Sequence, residues 1–317
     1  MHETKQELLH KSLIVCTRHP SPYPFHDADS EKNLLRNPTA LAISPEFSTV
    51  CLCGEDGVSF LVVINPAPTK RASVVKPLPK DTTKICFVRS KLYICTAAGK
   101  LHRVSVKNDD WVTGIVESNV NDMIVSSGMD NIDAICCVAG TLVSTTILLA
   151  SNRQVYLGKV NDGIEIAVHL VLELERDVVD PCFSSDGRRM FALMHGGVAV
   201  EIVGNAAAGI IYRQPQTGPN IKAICATSTK LYVFRGPHVD QVNIALGAPT
   251  TVTTLLQNGA AGKAVIDDTA DQATSGTIVA ITCVANSVQF LDGAANALRF
   301  LCFGSSVLHY IKYVVSW

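Results

Sequence analysis

The chain has 317 residues, with 27 Lys and Arg against 28 Asp and Glu, for a net charge of −1. That balance excludes the large basic excess of a nucleic-acid or anionic-membrane footprint. With 47% hydrophobic and 17% charged residues, the chain can bury a large core, and global disorder is excluded.

Met1–His10 is polar and lacks the apolar run of a secretory signal. Helical periodicity is confined to Glu3–Lys11. The tract His19-Pro20-Ser21-Pro22-Tyr23-Pro24 reads as an extended arm. Residues 1–38 are therefore assigned to an N-terminal arm that contributes a closing strand, and 39–317 to a repeated β domain.

From there the chain is a series of short β-branched runs separated by Gly, Asp and Asn. Asp-Gly, which supplies the positive φ of tight strand-to-strand turns, recurs at Asp56-Gly57, Asp162-Gly163, Asp186-Gly187 and Asp292-Gly293. One unit repeats: an apolar strand, a small turn, a second apolar strand. It runs over Ser48–Val63, Lys91–Val104, Thr146–Val160, Arg189–Ile202, Lys230–Ile244 and Thr277–Leu291. Anchors at 50, 92, 147, 190, 231 and 278 give spacings of 42, 55, 43, 41 and 47. A further strand-like run usually lies between units, as at Ile164–Leu174 and Thr250–Leu256. An insertion within Asn119–Ile135 accounts for the spacing of 55. The uncharged stretch Ala134–Asn152 is broken by Gly140, Thr141, Ser144, Thr145 and Thr146, so it reads as two buried strands rather than a membrane span.

A period near 42 is the length of a four-stranded blade, and blades bury their faces only against neighbours in a closed ring. The expected class is all-β, a β-propeller. Leu13–Thr17, Ala297–Phe303 and Val307–Val315 favour seven blades, the last closed by strands from both termini, with six as the alternative.

Phe183-Ser184-Ser185-Asp186-Gly187-Arg188-Arg189-Met190-Phe191-Ala192 resembles the strand-to-turn signature of WD-type β-propellers. So does Ile43-Ser44-Pro45-Glu46-Phe47-Ser48-Thr49-Val50, followed by Glu55-Asp56-Gly57. The resemblance spans about six units, without the family's Gly-His and Trp-Asp dipeptides. It implies a non-catalytic scaffold that presents turn-lined faces to other proteins, as a subunit of a larger assembly.

The eleven cysteines at 16, 51, 53, 86, 95, 136, 137, 182, 225, 283 and 302 are odd in number, never spaced C-x-x-C, and mostly lie in apolar runs. They read as reduced core thiols, which points to the cytoplasm or nucleus. No G-x-S-x-G, H-E-x-x-H, P-loop or G-x-G-x-x-G occurs, so no enzyme activity, cofactor or metal is assigned. Asp267, Asp268 and Asp271, like Asp27, Asp29 and Glu31, lack calcium-loop spacing and read as solvated. Lys84, Arg89, Lys91, Lys100 and Arg103 cluster locally, but without an overall basic excess nucleic acid is disfavoured. The alternatives kept are a propeller enzyme with a central-channel site and a nucleic-acid-associated propeller.

In a propeller, the turns of the repeated unit and the links between blades share one rim. Glu55, Lys100, Arg153, His195, Arg235, His238 and Asn286 occupy those turns, and they are the candidate partner-binding residues. Turn geometry asks only for Gly, Asn or Asp, so long charged side chains there suggest a binding surface. His195 and His238 also raise the possibility of metal binding or acid–base work, with solvated turns as the plain reading.

Overall fold

The computed structural model describes residues 23–24, 38–43, 49–54, 59–63, 73–75, 79, 81–106, 119–125, 129, 131–137, 144–184, 186–215, 221–235, 238–256, 278–284, 287–292, 297–303 and 308–316. Among them a two-residue strand, β1 (Tyr23–Pro24), precedes the first sheet. That sheet holds β2 (Pro38–Ile43), β3 (Thr49–Gly54), β4 (Ser59–Val63) and β5 (Ser73–Val75). The second holds β6 (Thr82–Val88), β7 (Lys91–Thr96), β8 (Leu101–Ser105) and β9 (Asn119–Asp122). After β10 (Ile124–Val125) comes the third, with β11 (Ala134–Cys137), β12 (Thr146–Ser151), β13 (Gln154–Lys159) and β14 (Glu165–Glu173). The fourth holds β15 (Val178–Phe183), β16 (Met190–Met194), β17 (Val198–Val203) and β18 (Ala206–Arg213). The fifth holds β19 (Ile221–Ala226), β20 (Lys230–Arg235), β21 (His238–Asn243) and β22 (Val252–Leu256). The sixth holds β23 (Ile278–Val284), β24 (Ser287–Asp292), β25 (Ala297–Phe303) and β26 (Leu308–Ser316).

Within each sheet the four strands run antiparallel in chain order. The first strands β2, β6, β11, β15, β19 and β23 neighbour one another in sequence, and β23 returns to β2. The fold is a β-propeller. The favoured seventh blade has no sheet of its own among the described residues. Ala297–Phe303 and the run ending near Val315, counted toward it, instead pair with β24 and with each other as the third and fourth strands of the sixth sheet. β1 then pairs parallel with β26 (Tyr23 with Val315, Pro24 with Ser316) as a fifth strand.

Burial follows strand position. The second strand β12 is buried from Ile147 to Ser151, because neighbouring sheets cover both of its faces. That is why such strands read as continuous apolar runs rather than alternating ones. The outer strand β18 has five exposed residues at its start. The core is a set of layers between consecutive sheets. Ile85, Phe87, Leu92 and Ile94 of the second sheet pack on Ala40, Ala42 and Cys51 of the first. Ala134, Leu148 and Val155 of the third pack on Phe183, Ala192 and Val200 of the fourth. Each such Leu, Ile, Val or Phe contributes about 1.5–3 kcal/mol of transfer free energy.

Two expectations gain detail. Ala134–Cys137 and Thr146–Ser151 are antiparallel partners in one sheet, and no helix among the described residues is long and apolar enough to cross a membrane. The insertion within 119–135 holds β9, which completes the second sheet, and β10, which lies parallel on the outer edge of the third.

Candidate partner-binding face

Because the strands alternate in direction, the hairpin from second to third strand and the link into the next sheet's first strand end on the same rim. Hydrogen bonds stitch these segments together. Ala97 N–H donates to Asp81 O at 2.8 Å, and His195 N–H donates to Asp177 O at 2.8 Å. Asp81 and Asp177 each immediately precede a first strand. In the third sheet the acceptor is a side chain: Asn152 N–H donates to Asp133 Oδ2 at 2.6 Å. Each hairpin is also tied to the next sheet, by Ile132 N–H to Gly99 O at 3.0 Å and Val178 N–H to Asn152 O at 2.7 Å. Gly99 is required at this contact. Its φ is +71°, and a Cβ there would lie 2.6 Å from Asn131 Oδ1 and 2.9 Å from Asn131 Cα.

The stitched backbone leaves side chains to face solvent. Lys100, Arg153 and His195 are exposed on three successive hairpins. Arg153 pairs with Glu173 at 2.5 Å, both about half exposed, and Arg176 Nη1 donates to His195 O at 3.5 Å. Asp81, Asp133, Glu175 and Asp177 are exposed beside them. Arg235 and His238 face each other in backbone register across the fifth sheet's hairpin. Glu55 lies outside the described residues.

Asn286 also lies outside the described residues. β23 and β24 are the first and second strands of the sixth sheet. The unit Thr277–Leu291 is one strand out of phase with the other five. First-to-second and second-to-third hairpins are both apolar strand, small turn, apolar strand, so periodicity alone does not separate them.

His195 and His238 sit on the rim of neighbouring sheets, but no group of three or more His, Cys, Asp or Glu among the described residues could hold a metal. Cys86, Cys95, Cys136 and Cys137 are free thiols, all buried except the half-buried Cys136, and Cys51, Cys182 and Cys225 are buried as well. Burial pushes the Cys95 and Cys136 thiols well up, and a hydrogen bond with Cys137 followed by burial does the same for Cys86. They are protonated core groups, not nucleophiles.

Sequence reasoning missed a polar pair just inside the rim. The third residue of β6, Lys84, reaches past the third sheet to Asp180 of β15, with Nζ 2.7 Å from Oδ1. Asp180 Oδ2 accepts from Ile224 N–H of β19 at 2.9 Å. Registers with the second strands make Ala40, Lys84, Ala134, Asp180, Ala223 and Ala280 equivalent positions in the six sheets. Small residues on four sheets leave room for one ion pair that joins the second, fourth and fifth. Asp180 is buried, while the Lys84 side chain is 29% exposed.

The opposite rim shows the WD-like turn in detail. Ser184 Oγ donates to Asp186 Oδ1 at 2.6 Å, Arg188 N–H donates to the same oxygen, and Arg189 N–H donates to Ser184 Oγ at 3.0 Å. Partial burial acts to raise the Asp186 carboxyl, but the bonds from Ser184 and Arg188 outweigh it and hold it below its ordinary value. Arg189 clamps Glu201 through Nε and Nη2, at 2.6 and 2.8 Å, and also donates to Ile244 O of the next sheet. Arg103 makes the equivalent clamp between second and third sheets, onto the carbonyls of Asn161, Asp162 and Gly163.

No family model and no curated protein matches the sequence. Solved structures do match in fold. Hydrazine synthase of Kuenenia stuttgartiensis aligns at a TM-score of 0.57 and 13% identity, over 87% of this chain and 80% of that one. The β-propeller domain of Cps50 (Swd1) from Myceliophteria thermophila aligns at 0.54 and 10%, over 88% of each chain. A chain of the mitotic checkpoint complex aligns at 0.54 and 11%, over 94% of this chain and 85% of that one. At these identities the likeness is one of fold, the β-propeller, and fold alone assigns no activity.

Proposed function

We propose that this propeller is a non-catalytic interaction scaffold, a subunit of a multiprotein assembly that binds other proteins through its stitched rim. The observation that carries the reading is the contrast between rigid, repeated backbone bonding and unlike exposed side chains: Lys100, the Arg153–Glu173 pair, Arg176 and His195. Equivalent hairpins presenting different charges make an address that a partner can read. One structural neighbour is a chain of an assembly, the mitotic checkpoint complex, which supports it by analogy. Reduced core thiols support a place in the cytoplasm or nucleus. We read the β1–β26 pairing as the two ends of the chain fastening a ring of six blades.

The test is affinity purification of the tagged protein with identification of stoichiometric partners, repeated with Arg153→Glu and Arg235→Glu together. Loss of a stoichiometric partner at unchanged melting temperature supports the rim. Full retention rejects it.

A second reading, a channel-site enzyme, is favoured by the Lys84–Asp180 pair among the first strands and by neighbours that include hydrazine synthase. Against it, each oxygen of Asp180 already holds a partner from its own chain.

A further inference from the structure

We infer that the mouth of the propeller opposite the stitched rim binds an acidic segment of a partner protein, with Arg89 and Arg188 as its two anchors. This goes beyond the rim reading and does not depend on it.

The sequence groups Lys84, Arg89, Lys91, Lys100 and Arg103, and the fold sends them to separate tasks. Lys84 pairs with Asp180, Arg103 clamps the carbonyls of the third sheet, and Lys100 stands on the stitched rim. Arg89 is left without such a task. It is exposed at the tip of the β6–β7 hairpin, and its side chain makes no hydrogen bond or ion pair among the described residues.

The backbone makes an arginine there more telling. Val88 pairs with Lys91, so Arg89 and Ser90 form a two-residue turn, and Arg89 has a φ of +54°. Gly, Asn or Asp ordinarily fills such a position. The other non-glycine residues with positive φ among the described ones are Asp81 and Asn152, types that tolerate it. Arginine at this place carries conformational strain that no side-chain contact among the described residues offsets, and strain of this kind gathers at binding sites.

Arg188 stands in the equivalent hairpin of the fourth sheet and is exposed. Its guanidinium also makes no hydrogen bond or ion pair among the described residues. Both hairpins follow first strands, which neighbour one another around the axis, so they open on one mouth. The other charged residues described in such hairpins are Lys91, Asp186, Arg189 and Lys230. Lys91 is half-buried. The single carboxylate, Asp186, is engaged within its own turn by Ser184 Oγ and Arg188 N–H. Arg189 is held by Glu201, and Lys230 Nζ donates to Asn243 Oδ1 at 3.2 Å. The mouth is therefore cationic, and Arg89 and Arg188 are the guanidinium groups that it leaves to solvent.

Charge and number select the occupant. A guanidinium fork matches a carboxylate in bidentate geometry. A nucleic acid or an anionic membrane draws its affinity from many cations at once, which two arginines do not supply. Two forks on hairpins separated by the third sheet suit two carboxylates spaced along one extended peptide.

The test is fluorescence anisotropy of a labelled oligoglutamate peptide titrated with the purified full chain. An oligolysine peptide and a single-stranded oligonucleotide of the same length are titrated beside it. Saturable binding is expected for oligoglutamate alone, and it should weaken as salt is raised. Arg89→Gly removes the guanidinium and relieves the turn together, so it is expected to weaken binding about tenfold or more without lowering the melting temperature. Arg188→Gln should weaken binding to a similar degree. Arg213→Gln, at the stitched end of β18, should leave it unchanged. Absence of oligoglutamate binding, equal binding of the oligonucleotide, or binding that survives Arg89→Gly and Arg188→Gln together overturns the proposal. A lowered melting temperature for Arg89→Gly assigns the arginine a structural role and overturns it as well.

Discussion

The rim hairpins and the β17–β18 hairpin are both exposed, yet they expose opposite things. On the rim the backbone is consumed: Ala97, Ile132, Asn152, Val178 and His195 all spend their N–H groups on stitching. What remains for solvent is charged side chain. At β18 the exposed residues Ala206 to Ile210 are Ala, Gly and Ile with no charge among them, and among the described residues the strand is the last of its sheet. All the large exposed hydrophobics among the described residues, from Val120 to Val252, lie away from the rim, on outer strands or on hairpins of the opposite end. One propeller thus carries two kinds of surface. In general a charged surface discriminates through side chains, whereas an uncharged sheet edge offers backbone with little specificity.

The widest separation between the two regions comes from the pair beneath the rim. Asp180→Ala leaves Ile224 N–H and Lys84 without their acceptor and is expected to cost about 3 kcal/mol. A urea titration reads this as a fall in midpoint at constant slope. A cost below about 0.5 kcal/mol, the usual level for a surface change, would mean that the pair does not hold the rim sheets together.

A glycine on each side sharpens the contrast. Gly99 and Gly204 both have positive φ, +71° and +62°. A Cβ at Gly99 collides with Asn131, whereas one at Gly204 meets nothing within 4 Å. Gly204→Ala should cost about 1 kcal/mol, the conformational part alone. Gly99→Ala should cost about 2 kcal/mol or more, because packing is added to it. Equal melting-temperature shifts would show that the rim contact is loose.

Arg153→Glu replaces an exposed ion pair with two facing carboxylates, and its stability cost is expected to stay under about 1 kcal/mol. Its effect should appear in partner capture instead.

The smallest effect is on pH dependence. Asp186 sits in the opposite-rim turn with its folded pKa below the ordinary 3.8. Its contribution is therefore present above the unfolded value and is lost as pH falls through the folded one. Asp186→Asn should lower the melting temperature slightly at neutral pH, and the difference from the unaltered chain should vanish as the pH falls through the folded value. A deficit that is the same at neutral and at low pH would contradict the assignment.

What the sequence disclosed was local. The Ser184–Arg189 turn is bonded within six residues, and its pattern could be read directly. Five of the six strand–turn–strand units fall on second and third strands, because both flanking sheets force those strands to be apolar throughout. The sixth slipped by one strand, since the hairpin after β23 has the same local chemistry as the one after β24. In the same way, β25 and β26 were legible as strands but not as partners of β24. Lys84 and Asp180 lie 96 residues apart, with nothing in either neighbourhood to announce the other. β18 was passed over because Ala-Ala-Ala-Gly has neither charge nor bulk to mark it.

Lysine cross-linking of the purified assembly tests the rim most directly. Lys100 lies in the hairpin just before β8 on the stitched rim, and Lys159 closes β13 at the opposite end; both are exposed. The account predicts partner cross-links at Lys100 and none at Lys159. Partner cross-links at Lys159 with Lys100 free to react with small reagents would contradict it.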